Sequence, residues 1–292
     1  MENIWGKLKE PQKLDLYTGN SPDEDQSDIS KASIRKKVWE FMEKNDIANF
    51  PRPVYHRIPN FKGASAAGDK VTTLPEFQEA KNIKVNPDKP QEEVRFRTLE
   101  SGKSLYVPTP RLTQGLFNRL EPEPGCTKES LRKMSSRYGI DSLSKPVPMA
   151  SRLKIDLVVI GSVAVDRNGR RIGKGEGFAD LEWSMAASHH SAVTQETVVI
   201  STVHDVQVFD ELPKSLFSSH DVPVDIIVTP TEVFDGFDAL NFFDIIMILF
   251  ILNIMEFHFS YFRSSESQTG YRNPIILNGA FLRGKNLTTL VF

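Results

Sequence analysis

Residues 155–180 read IDLVVIGSVAVDRNGRRIGKGEGFAD, and the order of the parts in that stretch decides the fold. Its opening, 155–160, is apolar apart from Asp156 and does not alternate. Strands covered on both faces have this composition, because neither side chain direction meets water. A basic turn follows (Arg167, Arg170, Arg171), then glycines at alternate positions, Gly173, Gly175 and Gly177, then Asp180 where a helix is expected to begin. Glycine has no Cβ, so main-chain amides can approach an anion closely. Amides at a loop that runs into a helix N-terminus add positive partial charge at the same point. The bend therefore reads as a cradle for a phosphate-bearing or otherwise anionic ligand, unless the Glu176 carboxylate turns back and plugs it.

Working outward, TVVISTV (197–203) and VDIIVTP (224–230) have the same near-continuous apolar character, and shorter runs at 83–85 and 104–107 complete a set of candidate strands. Between the last two, Pro90 opens a helical pattern through Val94, Phe96 and Leu99 that stops at Gly102. A strand–helix–strand unit requires a right-handed crossover in a parallel sheet. A further helix is expected over 128–138. Upstream, Ser30 or Ser33 caps a helix whose apolar positions Ile34, Val38, Phe41 and Met42 recur at helical spacing. A connector punctuated by Pro51, Pro53 and Pro59 follows it, where continuous helix is disfavoured. The expected architecture is a three-layer α/β domain with a mainly parallel sheet over 30–234, binding its ligand at the C-terminal ends of the strands, as open sheets do.

The flanks differ in composition. Residues 1–29 end in an acidic, turn-rich stretch and read as a mobile tail. Beyond 234 the chain is crowded with phenylalanine and isoleucine. Its unbroken apolar core, 245–252, is far short of the ~20 residues that span a bilayer. Three readings stay open for 235–292: a membrane helix, a buried or partner-binding helix, and an atypical tail with no selected structure.

The chain has 292 residues and a net charge of −2, so no global attraction to nucleic acid or to an anionic membrane is expected, and an anion site has to be local. A single cysteine, Cys126, excludes an intramolecular disulfide framework and fits a reducing compartment. No histidine–cysteine spacing proposes structural zinc. The N-terminus lacks the apolar core of a signal peptide. A cytoplasmic monomer is the expectation.

Four segments together resemble the 5-formyltetrahydrofolate cyclo-ligase family, and within it the branch of methenyltetrahydrofolate synthetase domain-containing proteins. They are KASIR (31–35), KSLYVPTPRL (103–112), IDLVVIGSVAVDRNGRRIGKGEGFADLE (155–182) and HDVPVDIIVTP (220–230), with Gln207 and Pro213 also matching. The resemblance implies a fold of the NagB/RpiA/CoA-transferase-like kind. It also implies an ATP- and magnesium-dependent reaction that closes the formyl group of 5-formyltetrahydrofolate into a methenyl bridge, releasing ADP and phosphate. Carried over by motif position, Lys31 and Arg35 would contact ATP phosphates. Gly173, Gly175, Glu176, Gly177, Phe178, Ala179 and Asp180 would wrap the nucleotide and the reacting group. Asp180 and Asp221 would be the magnesium carboxylates, and Tyr106 and Arg111 would border the folate.

The departures bear on activity. The family's bend usually ends in Gly-Tyr-Tyr-Asp, whereas this chain has Gly177-Phe178-Ala179-Asp180. Two hydroxyls and one whole ring are missing there, and Glu176 would add repulsion beside ATP. A divergent folate- or nucleotide-binding protein with weak or no turnover, an active cyclo-ligase, and an RNA-associated or scaffold protein all remain open. Branch members often carry a C-terminal RNA-recognition module, but no RNP-like aromatic segment follows 234, so RNA binding by that route is not expected. Ordinary roles stand beside the sharp ones: Asp180 as a helix cap, Asp221 in a turn, Lys31 and Arg35 as solvated charges on one helix face, and His204-Asp205 as a polar pair at a strand end.

Overall fold

The structure, a computed structural model, describes Leu14 and residues 29–109, 115–148, 152–188 and 192–235. These residues all belong to one compact unit. The expected tails over 1–29 and 235–292 lie, but for Leu14, Ile29 and Asp235, outside the described residues.

In chain order the elements are α1 (Lys31–Lys44), α2 (Ala64–Val71), α3 (Pro75–Glu79), β1 (Asn82–Val85), α4 (Glu92–Glu100), β2 (Ser104–Pro108), β3 (Phe117–Leu120), α5 (Lys128–Ser135), α6 (Arg137–Leu143), β4 (Lys145–Pro146), β5 (Leu157–Gly161), β6 (Ala164–Asp166), β7 (Arg171–Ile172), α7 (Phe178–Ser188), β8 (Val198–Thr202), β9 (Val208–Phe209), β10 (Ile226–Val228) and β11 (Val233–Asp235). Eight strands form one sheet in the order β11-β10-β8-β5-β1-β2-β3-β4. The central pairings β10/β8, β8/β5, β5/β1 and β1/β2 are parallel, and the edges are antiparallel. The fold is thus α/β with a mainly parallel sheet, as expected.

Both faces of the sheet are covered, which is why its inner strands are apolar at consecutive positions. Leu157 and Val159 enter one core, shared with Ile34, Val38 and Met42 of α1, Val71 of α2, and Val94 and Leu99 of α4. Val158 and Ile160, their neighbours along the strand, enter a second core with Ala186 of α7, Val199 and Ile227. Three layers follow directly from that alternation.

Several details differ from the sequence expectation. The helix expected over 128–138 is two helices, because Ser136 is extended (φ −72, ψ 164) and its side chain accepts from Gly139 N to cap the second. α1 has a full capping box between Ser30 and Ser33, but the position buried beside Val38 is Trp39, whose indole nitrogen donates to Arg57 O at 3.0 Å. Phe41 sits at the margin of that core. The short helix α2 and a separate three-stranded sheet, β7-β6-β9, carry no strong local signal in the sequence. That small sheet is held by Asp166, fully buried, whose carboxylate accepts from the amides of Asn168, Arg170 and Leu212 and from Arg170 Nη1.

The wall beyond β1 depends on one cation. Arg95 of α4 is completely buried and donates to three carbonyls: Asn86 O at 2.6 Å, Asp88 O at 3.0 Å and Ser135 O at 2.8 Å. Burial pulls its guanidinium pKa down to about 10, with Glu92 and Asp88 opposing. Arg95→Leu keeps the bulk and removes the donors, leaving the three carbonyls short of partners. A buried unpartnered acceptor costs about 1–3 kcal/mol, and two of the three are only part-buried, so a loss of roughly 2–4 kcal/mol is expected. Urea unfolding measures it as a lower midpoint at unchanged slope; an unshifted midpoint would show that Arg95 does not hold this wall.

Candidate functional site

Parallel strands all end at one edge of the sheet, and there a cavity opens, with a volume of about 780 Å³. Gly161 at the end of β5, Asn86, Pro87 and Asp88 after β1, and Pro108 and Thr109 at the end of β2 line one side. The 173–177 bend and the first turn of α7 line the other, with Lys31 and Arg35 reaching in from α1. Of the site residues expected from sequence, Lys31, Arg35, Gly173, Gly175, Glu176, Gly177, Phe178, Ala179, Asp180 and Asp221 all line this cavity. Lys31 and Arg35, one helical turn apart on α1, do so together.

Tyr106 is the exception and corrects the expectation that it borders a ligand. Side chains alternate along a strand, and the Tyr106 ring goes into the second core, under the Arg119 guanidinium at 5.8 Å, with its hydroxyl 3.5 Å from Asn82 Oδ1. Pro108 and Thr109 form the end of that strand at the cavity instead. Arg111 lies outside the described residues.

The bend is built around two guanidinium groups. Arg171 is buried, and its Nη1 meets Asp180 Oδ1 at 3.1 Å. A Cβ on Gly173 would stand 2.8 Å from Arg171 Nη2. Arg35 Nε donates to Gly173 O at 2.7 Å, and a Cβ on Gly175 would come within 3.2 Å of Arg35 Cζ, at a position whose φ is +106. Arginines therefore pack against two of the three glycines, and the positive φ of Gly175 itself disfavours a side chain there. Glu176 does not plug the bend: it is exposed and pairs with Lys174 at 3.0 Å.

Two carboxylates of the site, Asp180 and Asp221, are engaged. Asp180 Oδ1 also accepts from Val222 N at 3.1 Å, which ties the 221–222 segment to α7. Asp180 sits inside the first turn of α7, and the partners of its carboxylate are Arg171 and Val222. Asp221 Oδ1 accepts from Lys31 Nζ at 2.5 Å, and its Oδ2 accepts from Ser218 N and Oγ. Burial works against ionisation of Asp221, but the Lys31 and Ser218 bonds outweigh it and hold the carboxyl below its usual range. Lys31 also lies over the Phe217 ring, 4.8 Å from its centroid. Burial lowers the Arg171 pKa, with Asp180, Asp221 and Asp88 opposing.

Sequence reasoning gave no role to several groups here. Arg171 was visible in the basic turn, but only the β6–β7 hairpin separates it from Arg170 and Arg167, which go to Asp166 and Asp210 outside the cavity. Asp88 lines the wall that Arg95 holds, and burial pushes its carboxyl up. Glu182 lines the cavity while bonded at 2.5 Å to the buried Lys84; burial pushes its carboxyl up against the pull of that lysine. His204-Asp205 is a local device: His204 Nδ1 accepts from Val206 N, and the ring meets Phe61 edge-on.

As arranged, the residues do not fit a magnesium ion. Asp180 and Asp221, the carboxylates expected to hold it, each already carry a cationic side chain. No helix among the described residues is long and apolar enough to cross a membrane.

Comparison with known proteins gives the family. A profile of the 5-formyltetrahydrofolate cyclo-ligase family matches residues 27–230. The chain is 54% identical over 210 residues to a methenyltetrahydrofolate synthase domain-containing protein of Mus musculus, covering 72% of this chain and 56% of that one. To the Homo sapiens protein of the same description it is 51% identical over 205 residues, covering 70% and 53%. It spans about half the length of the curated relatives it matches. A 5,10-methenyltetrahydrofolate synthetase of Aquifex aeolicus, solved by NMR, is similar at 22% identity and a TM-score of 0.46, covering 72% of this chain and 94% of that one. With its profile match and these relatives, this chain belongs to the 5-formyltetrahydrofolate cyclo-ligase family.

Proposed function

We propose that residues 30–234 form a divergent cyclo-ligase-like domain that binds a nucleotide- or folate-type anion in the cavity, with little or no turnover. The observation that carries the reading is the state of Arg35. Among the cations of the described cavity wall, Lys31, Arg137, Arg171 and Lys174 each have a carboxylate partner in Asp221, Asp141, Asp180 and Glu176. Arg35 has none. Its Nε is fixed on the Gly173 carbonyl, which leaves its Nη groups for a guest. Guanidinium groups suit this role because their fork matches phosphate and carboxylate geometry. Half-burial lowers the Arg35 pKa, yet a guanidinium starts so high that it keeps its charge at neutral pH.

The case for weak turnover rests on the first turn of α7. Phosphoryl transfer is catalysed mainly by positioning and by stabilising developing charge. Phe178 and Ala179 offer no hydroxyl for that purpose, and the carboxylates of Asp180 and Asp221 are committed to ion pairs. ATP and a reduced folate are the ligands the family suggests.

The full chain tests the reading by thermal unfolding with ATP and with 5-formyltetrahydrofolate, alongside methenyl absorbance when both are mixed with magnesium. A ligand that binds only the folded state adds about 2.7 kcal/mol at a hundred times its Kd, so a raised melting point without absorbance change is expected. Turnover that disappears in Asp180→Ala would make the chain an active cyclo-ligase. No thermal shift with either ligand would leave a fold reused for scaffolding or RNA association.

Arg35→Gln is expected to weaken the better ligand at least about tenfold, roughly 1.4 kcal/mol, and to cost about 1 kcal/mol of stability with the lost Gly173 bond. An unaltered Kd would remove the assigned role of Arg35. Gly175→Ala places a side chain at φ +106 against that guanidinium. It should cost about 1–2 kcal/mol of stability and weaken the same ligand; a variant that melts and binds as the parent would refute the packing argument.

A further inference from the structure

We propose that this cavity binds its polyphosphate ligand without a divalent cation, because Lys31 and Arg171 already occupy the places beside Asp221 and Asp180 that a metal would take. The inference rests on the anion-binding reading above and goes further, by naming the ionic form of the ligand. A divalent ion between the two carboxylates would have to displace both cations, and Arg171 is enclosed by protein. Arg171 is buried, and its outer nitrogen fills the space that Gly173 leaves by having no Cβ. Its Nε is buried with no hydrogen-bond partner among the described residues, so the group is held by its walls as well as by Asp180. Lys31 has two favourable partners at once, the Asp221 carboxylate and the face of Phe217.

Asp221 is equally committed. Both oxygens accept hydrogen bonds, one from Lys31 and the other from Ser218 N and Oγ. Magnesium demands near-octahedral oxygen ligands at about 2.1 Å and gives up its waters reluctantly. A carboxylate whose lone pairs face an ammonium and a backbone amide offers poor inner-sphere ligation. Like charges would also meet: a metal at Asp180 would stand against a guanidinium that cannot swing into water. The charge a metal normally supplies to a polyphosphate comes here from Arg35, with Lys31 and Arg171 keeping the aspartates from repelling the guest.

The experiment is calorimetric titration of the full chain with ATP, once in excess magnesium and once in excess EDTA. The expected result is a Kd that differs by no more than about threefold between the two, well under the 1.4 kcal/mol of a tenfold change. Binding that weakens tenfold or more in EDTA would overturn the inference while leaving the anion-binding reading intact. No heat in either medium would remove nucleotide binding from that reading, and the inference with it. Manganese electron paramagnetic resonance gives a readout independent of any variant. Protein added to free manganese should leave its signal unchanged, and loss of signal without nucleotide would overturn the proposal. In Asp221→Asn, Lys31 is released from its ion pair, so ATP affinity in EDTA should rise or stay level. If Asp221 is instead a metal ligand, the same substitution weakens binding in magnesium.

Discussion

A guanidinium enclosed by protein needs a counter-charge and a shaped place to lie, and the Arg171–Asp180 pair imposes both on this site. Removing one partner from a buried ion pair leaves an uncompensated charge, so such a contact constrains everything around it. Here the constraint runs along the chain. Arg171 in its position forbids a Cβ on Gly173, and the turn at Gly173 presents its carbonyl to Arg35. Arg35 in turn lies 3.2 Å from where a Cβ on Gly175 would be. Asp180 also accepts from Val222 N, so the same contact positions the segment that carries Asp221. The bend is a mould around two arginines, and it leaves the outer edge of Arg35 toward the cavity.

The sheet supplies the other half of the site. Five neighbouring parallel strands end at one edge, where carbonyls and loops converge without a partner strand to cover them. Arg95 holds the 86–88 turn against α4 and α5 and so fixes that wall of the cavity from behind. On the opposite face the buried Lys84–Glu182 pair joins β1 to α7. Buried pairs of this kind are weak evidence for stability, since desolvation offsets much of their attraction. Their effect here is geometric: β1 and α7 meet across the cavity in one register.

Local pattern carried most of the fold. Ser30 and Ser33 announced the start of α1, and the continuous apolar runs at 155–160, 197–203 and 224–228 announced inner strands, because burial on both faces leaves a composition that needs no tertiary knowledge to read. The break between α5 and α6 was hidden, since Ser136 is unremarkable as a residue and its extended backbone is visible only in place. The β6–β7–β9 sheet was hidden for another reason. Its strands are two or three residues long and depend on Asp166 bonds to Leu212, far away in sequence.

By itself the sequence determined that this chain makes a mainly parallel sheet with a glycine bend after an inner strand, and it singled out Lys31, Arg35, Asp180 and Asp221, which the structure brings to one cavity. Composition and spacing record which groups are available, and they do so wherever a backbone rule or a burial rule acts on neighbouring residues. Only the tertiary structure decided how those groups are partnered. Lys31 meets Asp221 from 190 positions away, Arg35 meets Gly173 from 138, and Tyr106 turns into the core instead of the cavity. Charge pairing acts through space between segments brought together by the sheet, so linear order leaves no mark of which cation neutralises which carboxylate.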